Sequence, residues 1–293
     1  MPFADSQGVK LYYEETGRGT PIVFVHEYAD DVRGWEAQVR QFSRRYRCVT
    51  FNARGYPPSD VPKSAAKYSQ RIATDDIAAV MRHLGIRKAH IVGCSMGGYA
   101  TLHFGIHYPR MALSLTVLGA GFGSDADKRR QFMRDSAAMA QRLIDLGMRV
   151  ATKPYAVGPS RVQFQNKDPR GWREFAARFA EHSALGAANT LKGVQMRRPT
   201  VYQLAPALKR LKVPTHIISG DEDDNCLEPG IFIKRTCAAS VLSVVAGSGH
   251  AVNLEEPALF NRIVGEFIAL VDSGRWRPQD PRSKGKSTLS NKG

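Results

Sequence analysis

His90-Ile91-Val92-Gly93-Cys94-Ser95-Met96-Gly97-Gly98-Tyr99 is the stretch on which the reading of this chain turns. Its first four residues read as a short strand, and Ala100 to His107 reads as a helix. Gly-x-Ser-x-Gly lies between them. A strand that passes at once into a helix through that motif is the setting a nucleophile elbow requires. The reason is steric. Ser95 has to sit on a tight strand-to-helix turn, in a backbone region poor for a residue with a side chain. Gly93 and Gly97 let neighbouring chain segments pass closely there. The turn lifts the hydroxyl above the sheet edge at a helix N-terminus. The Met96 backbone N–H then points where a tetrahedral oxyanion would form. The same pattern also arises by chance as a small-residue turn, so the partners found elsewhere in the chain carry the decision.

Outward from the elbow, strands alternate with helices. Phe3–Ser6 and Val9–Glu14 flank a Gln7-Gly8 turn signal. Pro21 to Val25 is apolar throughout, as expected of a strand covered on both faces, and it ends at His26-Glu27-Tyr28. A helix around Trp35–Phe42, a strand at Arg47–Asn52 and the turn-rich Arg54-Gly55-Tyr56 loop follow. Ile72–Leu84 has helical apolar spacing and closes at Gly85. After the elbow comes an apolar strand, Leu113–Leu118. This alternation implies a mostly parallel sheet with right-handed crossovers. From Gly119 to about Lys212 the pattern is helical. Ser124 with Asp127 resembles a capping box, and Asp168-Pro169 and Ser183 read as further helix starts. Strands return at Pro214–Ser219 and Val241–Val245, and Leu254–Val271 is a last amphipathic helix.

The 293 residues, 43% of them apolar, suffice for one large core with an insertion. No apolar run is long enough to span a membrane, and the first residues do not read as a signal peptide. Cys48, Cys94, Cys226 and Cys237 are scattered, which suits a reducing, cytoplasmic setting without disulfides or a zinc site. The net charge of +15 is unevenly placed. Residues 1–121 hold 15 Lys and Arg against 10 Asp and Glu, and 213–271 hold 3 against 8. Residues 122–212 hold 18 against 7, and 272–293 hold 6 against 2. The whole excess therefore lies in the helical segment and in a polar, basic tail expected to be disordered.

The elbow at Ser95, His26-x-Tyr28, Arg54-Gly55-Tyr56, Gly220-x-x-Asp223, and Gly249-His250 followed by Glu256-Pro257 together resemble the α/β-hydrolase superfamily, over nearly all of 1–271. The resemblance implies an eight-stranded, mostly parallel sheet flanked by helices. Residues 1–121 and 213–271 would form the core, 122–212 a helical cap between the sixth and seventh strands, and 272–293 the tail. The order Ser95, Asp223, His250 matches the nucleophile–acid–base order of that fold. A serine hydroxyl needs a base, and His250, in a loop after a strand end, titrates in the right range. A carboxylate would fix its tautomer. Family spacing points to Asp223, with Asp221 and Asp224 as alternatives and Asp125 a more distant one. By family position the second oxyanion donor is the Tyr28 N–H, beside that of Met96.

The sequence departs from the family at Glu27, where glycine is usual. A carboxylate there disfavours developing negative charge unless it is neutralised, with Arg54 or Arg33 the candidate partners, or turned away. His26 and Glu27 are expected near the site. His103 and His107 have metal-ligand spacing but no flanking carboxylate, so no metal is expected. Gly119-x-Gly121-x-Gly123 has the wrong spacing for a dinucleotide, and no cofactor is expected. The basic tail lacks interleaved aromatics apart from Trp276, a poor basis for nucleic-acid binding, and no membrane partner is expected. The expectation is a cofactor-free serine hydrolase acting on an ester-like bond of a small molecule, anionic if the charge map bears on it. The alternatives are a carbon–carbon bond hydrolase of a diketone using the same triad, and a ligand-binding receptor with a vestigial one.

Overall fold

Eight strands form one sheet in the computed structural model, which describes residues 1–284. They are β1 (Phe3–Ser6), β2 (Val9–Thr16), β3 (Pro21–Val25), β4 (Arg47–Phe51), β5 (Ala89–Cys94), β6 (Ala112–Leu118), β7 (Thr215–Gly220) and β8 (Ser240–Val245). Their order across the sheet is β1-β2-β4-β3-β5-β6-β7-β8. The two pairings made by β2 are antiparallel and the rest are parallel. The apolar runs explain the parallel centre. Every residue of β5 and β7 is buried, because helices cover both faces.

On the flanks lie α1 (Glu36–Phe42), α2 (Gln70–His83) and α3 (Met96–His107). Ser69 starts α2 by accepting from the Ile72 N–H at 3.1 Å, and Ile77, Val80 and Met81 are its buried stripe. Between β6 and β7 the chain is helical. Its longest helices are α4 (Ala126–Leu146) and α5 (Pro169–Phe179), followed by α6 (Ala184–Thr190) and a π-helical stretch at Leu191–Gln195. Asp168 and Ser183 cap α5 and α6 through the Gly171 and Gly186 N–H groups. Ser124 does not cap α4. Its hydroxyl bonds Tyr99 Oη at 2.6 Å and accepts from the Val201 N–H, tying the two ends of the insertion to α3. An apolar cluster runs from Phe164, Phe175 and Phe179 of this insertion to Tyr28, Tyr56 and Met96 of the sheet domain. The insertion is therefore docked on the C-terminal ends of the central strands.

Past β8, α7 (Pro257–Asp272) packs beside α1. The expectation of a disordered tail from 272 on fails for its first part. Trp276 packs on the core, the Gln279 N–H donates to the Ala238 carbonyl at 2.9 Å, and Lys234 Nζ donates to Gln279 at 2.9 Å. One tryptophan with two anchoring hydrogen bonds outweighs the polar composition around it. Residues 285–293 of that tail lie outside the described residues.

Candidate active site

Ser95 is the turn between β5 and α3, with φ +54° and ψ −112°. Apart from Gln7 it is the only non-glycine residue with positive φ among those described, a conformation that costs roughly 1–3 kcal/mol and persists only where the surroundings enforce it. The flanking glycines show how. A Cβ on Gly93 would overlap the Gly97 carbonyl oxygen, and one on Gly97 would overlap the Val25 and His26 carbonyl oxygens. The strand, the helix and the loop after β3 are pressed together around the serine. The Ser95 N–H is held by the Leu118 carbonyl at 2.8 Å.

His250 and Asp223 meet across two loops. His250 Nδ1 lies 2.7 Å from Asp223 Oδ2, and both are buried. Burial alone would lower the imidazole's pKa, but the charge and hydrogen bond of Asp223 outweigh it and hold it above the usual histidine value. Burial alone would raise the Asp223 carboxyl, but His250 together with its other donors holds it below the usual range. Of the other acids considered, Asp221 and Asp224 are exposed, and Asp221 accepts instead from the Ser248 N–H at 3.1 Å. Asp125 is engaged by the Tyr202 hydroxyl.

Glu27 is buried, and its partner is neither Arg54 nor Arg33. Arg54 is committed to Asp76 at 2.6 Å, and Arg33 to Asp31 and Glu181. Arg161, from the single turn Pro159–Arg161 of the insertion, reaches Glu27 with both terminal nitrogens, Nη1 at 2.9 Å. The fork is fully buried, lies over the Phe175 and Tyr155 rings and also contacts the Tyr155 hydroxyl at 3.3 Å. Burial alone would raise the Glu27 carboxyl, but Arg161 holds it below the ordinary value. The carboxylate is thus neutralised, as the departure from glycine demanded, by a partner 134 residues away.

That same turn touches the histidine loop. The Ser160 carbonyl accepts from the His250 N–H at 3.4 Å. On the other side, Glu255 accepts from the Gly249 and Ala251 N–H groups at 2.7 and 3.0 Å, bracketing His250. His26 is a brace. Its Nδ1 lies 2.6 Å from the Glu27 carbonyl and its Nε2 takes the Ala53 N–H at 3.0 Å, and burial pushes its pKa down to about 4. A neutral ring with both nitrogens on backbone fixes the loop that carries Tyr28.

A cavity of about 550 Å³ is lined by Ser95, Asp223, His250 and Tyr28 from the sheet domain, and by Phe132, Met139, Ser160, Leu191 and Arg198 among others from the insertion. His26 and Glu27, expected near the site, are not among its lining residues; the brace and the ion pair turn them away from it. Neither the Tyr28 nor the Met96 N–H donates a hydrogen bond among the described residues. For a metal, the one trio of described residues whose donor atoms converge is Asp223, Cys226 and His250, within 4.8 Å of one another. An ion there would have to break the His250–Asp223 bond. His103 and His107 stack at 5.8 Å without a third donor.

The sequence does not single out Arg161 or Glu255 for these places, and it offers Arg198 only as one of five arginines, with Arg129, Arg130, Arg134 and Arg197, that flank the two junctions of the helical segment and are candidates to face the site. Arg161 carries no signal beyond being one of many insertion arginines. Glu255 sits five residues after His250, in a helix start whose acid is easily read as a dipole partner.

A family model described as the α/β hydrolase fold matches residues 20–257. Among curated proteins, 3-oxoadipate enol-lactonase 2 of Acinetobacter baylyi is 25% identical over 88% of this chain and 93% of its own length. AB hydrolase superfamily protein YisY of Bacillus subtilis is 29% identical over 88% and 95%, and the 2-hydroxy-6-oxo-6-phenylhexa-2,4-dienoate hydrolase of Comamonas testosteroni 26% over 88% and 91%. Among solved structures, the enol-lactonase from Burkholderia xenovorans superposes with a TM-score of 0.81 at 22% identity, covering 92% of this chain and all of that one. An esterase from Thermogutta terrifontis gives 0.80 at 23%, over 92% and 97%. With its sheet order, its elbow and a family match across most of its length, the chain belongs to the α/β-hydrolase fold family and is an enzyme of that family.

Proposed function

We propose that the protein is a serine hydrolase that cleaves an ester-like bond of a small molecule through an acyl-enzyme. The observation that carries this reading is the strained Ser95 elbow opening on the same cavity as the His250–Asp223 pair. His250 takes the Ser95 proton as Oγ attacks the carbonyl carbon, and the oxygen becomes an oxyanion between the free N–H groups of Tyr28 and Met96. The carbonyl reforms, the bond to the leaving group breaks, and His250 returns the proton to that group. Water, deprotonated by His250, then attacks the acyl carbon and releases the acid and Ser95. Asp223 holds the imidazole tautomer and stabilises its charged form.

The residues 122–212 act as a cap in this reading, because they close the cavity over Ser95. The four cysteines are buried free thiols, which supports a reducing, cytoplasmic location. No helix of the described residues is long and apolar enough to cross a membrane. Labelling with a fluorophosphonate probe, followed by a panel of p-nitrophenyl esters, tests the reading. Labelling that maps to Ser95, with ester turnover, is the expected result. No labelling of Ser95 and no turnover across the panel would overturn it.

A further inference from the structure

Three arginines of the described residues are almost wholly inaccessible to solvent, namely Arg54, Arg161 and Arg198. Two are matched by an internal acid, Asp76 for Arg54 and Glu27 for Arg161. Arg198 is not. Among the described residues no carboxylate lies within salt-bridge distance of it. Only its Nη2 has an acceptor, the Phe122 carbonyl at 2.9 Å, while Nε and Nη1 are buried with none. Its guanidinium lies 3.7 Å from the centre of the Tyr99 ring and near Phe132.

A buried charge without a counter-charge is costly, and a fold keeps one where something supplies the charge. The location says what. Arg198 is the one arginine or lysine among the described residues lining the cavity that holds Ser95 and His250. Burial holds the Arg198 pKa below its usual value, and the nearby Arg129, whose own side-chain donors reach only the Gly123 and Met196 carbonyls, adds like charge and no counter-charge. The acid on the cavity wall other than Asp223 is Asp135, which is exposed and held by Gln131 at 2.6 Å. The rest of the wall mixes the apolar Phe122, Phe132, Met139 and Leu191 with polar side chains, among them Ser136, Gln195 and Asn225.

We propose that Arg198 receives a carboxylate of the substrate, and that the enzyme acts on ester-like molecules that bear a free carboxylate and fit a cavity of about 550 Å³. The planar guanidinium fork matches a carboxylate and supplies charge-assisted hydrogen bonds. This inference rests on the serine-hydrolase reading for its turnover, but the binding itself can be measured without turnover.

The test has two arms. In the first, the dicarboxylates succinate, glutarate and adipate are titrated by calorimetry into Ser95→Ala protein, and into the same protein also carrying Arg198→Met. At least one dicarboxylate binds the former, and Arg198→Met weakens it by about tenfold or more, as expected for lost charge-assisted hydrogen bonds. Dimethyl glutarate, of like shape and no charge, does not bind comparably. Binding of inorganic phosphate in preference to every dicarboxylate would overturn the carboxylate assignment.

The second arm compares mono-p-nitrophenyl glutarate with p-nitrophenyl valerate. The native enzyme prefers the anionic ester in kcat/KM. Arg198→Met brings the ratio to about one, and Arg198→Lys, which keeps the charge and loses the fork, leaves it between the two. No preference in the native enzyme, or an equal loss on both esters in the variants, would mean that Arg198 only supports the fold, and the proposal falls. If Ser95 is unlabelled and neither ester turns over, the hydrolase reading fails, and the calorimetry alone judges Arg198. If Arg198→Met does not fold, the Arg198→Lys protein and the contrast between glutarate and its dimethyl ester in Ser95→Ala protein decide.

Discussion

At Glu27 a single residue sets the terms for its surroundings. A carboxylate put where the family has glycine is tolerable because Arg161 crosses from the insertion to meet it, with both groups out of water. Removing one partner of such a pair strands a buried charge at about 3–5 kcal/mol, whereas removing both costs much less. Arg161→Met should therefore lower the unfolding free energy by that order, and the double variant Glu27→Gln with Arg161→Met should recover most of it. Denaturant unfolding of the native protein, of Arg161→Met and Glu27→Gln singly and of the double variant checks this, and an additive pair would show that the ion pair is not coupled. The pair also steadies the loop of the Tyr28 N–H, so kcat should fall in Arg161→Met more than KM changes. For the proposed triad, Ser95→Ala and His250→Ala should each reduce kcat by up to about 10⁶, and Asp223→Asn by less. Asp221→Asn and Asp224→Asn should stay active; a dead Asp221→Asn enzyme with active Asp223→Asn would transfer the acid role. The pH profile follows from His250. Its base form is needed, and Asp223 raises its pKa, so activity should climb with pH through a value above the ordinary histidine pKa. The raised pKa also means that stability contributed by the charged imidazole is present at low pH and is lost as pH rises through the folded value. In Asp223→Asn the acid limb of the rate profile should move to lower pH; an unmoved limb would mean that another group is titrating.

Elements differ in how plainly the sequence announces them. The elbow was legible because Gly93, Ser95 and Gly97 each answer a steric demand that no other residue meets as well, and the buried strands because their apolar runs are uninterrupted. Ser124 resembles a cap in sequence because a local pattern cannot show that its hydroxyl is taken by Tyr99 and Val201, residues brought near only by folding. The π-helical stretch at Leu191–Gln195, which places Leu191 and Gln195 on the cavity wall, has no sequence signature of its own. The partner of Glu27 was beyond reach for the same reason, being 134 residues away on another element. The short helix after His250 makes a prediction at this scale. Glu255 alone accepts the two N–H groups that flank the histidine, and burial keeps its carboxyl above the usual range despite them. In Glu255→Ala those donors lose their acceptor and the loop is free to shift, so kcat should fall by roughly 10–100-fold with little change in KM, since a misplaced catalytic group costs rate before binding. Glu255→Gln, which keeps one acceptor oxygen, should restore part of the rate. Equal effects of both variants on KM and kcat would mark the residue as merely structural.

Over the whole molecule the charge divides as the fold does. The segment 122–212 carries 18 basic against 7 acidic residues, and the sheet-forming segments together are neutral. Of the junction arginines, Arg198 lies inside the cavity, while Arg130 and Arg134 are exposed on α4, the helix that lends Phe132, Ser136 and Met139 to the cavity wall. These two populations respond to salt differently. Exposed charges act across water, where the screening length is about 10 Å at 0.1 M salt and about 3 Å at 1 M. A buried guanidinium in contact with its ligand is screened far less. If the insertion guides anionic substrates inward, kcat/KM for mono-p-nitrophenyl glutarate should fall between 0.05 and 1 M salt, while that for p-nitrophenyl valerate stays nearly flat. The fall should appear as slower association, read from viscosity dependence or single-turnover kinetics, with the acyl-transfer rate unchanged. Charge reversal at Arg130 and Arg134 should flatten the slope. The preference of the native enzyme for the anionic ester should persist at 1 M salt, because it depends on the contact at Arg198. If the two esters lose activity in parallel as salt rises, the excess positive charge of the insertion is a solvated surface and has no part in bringing substrate to Ser95.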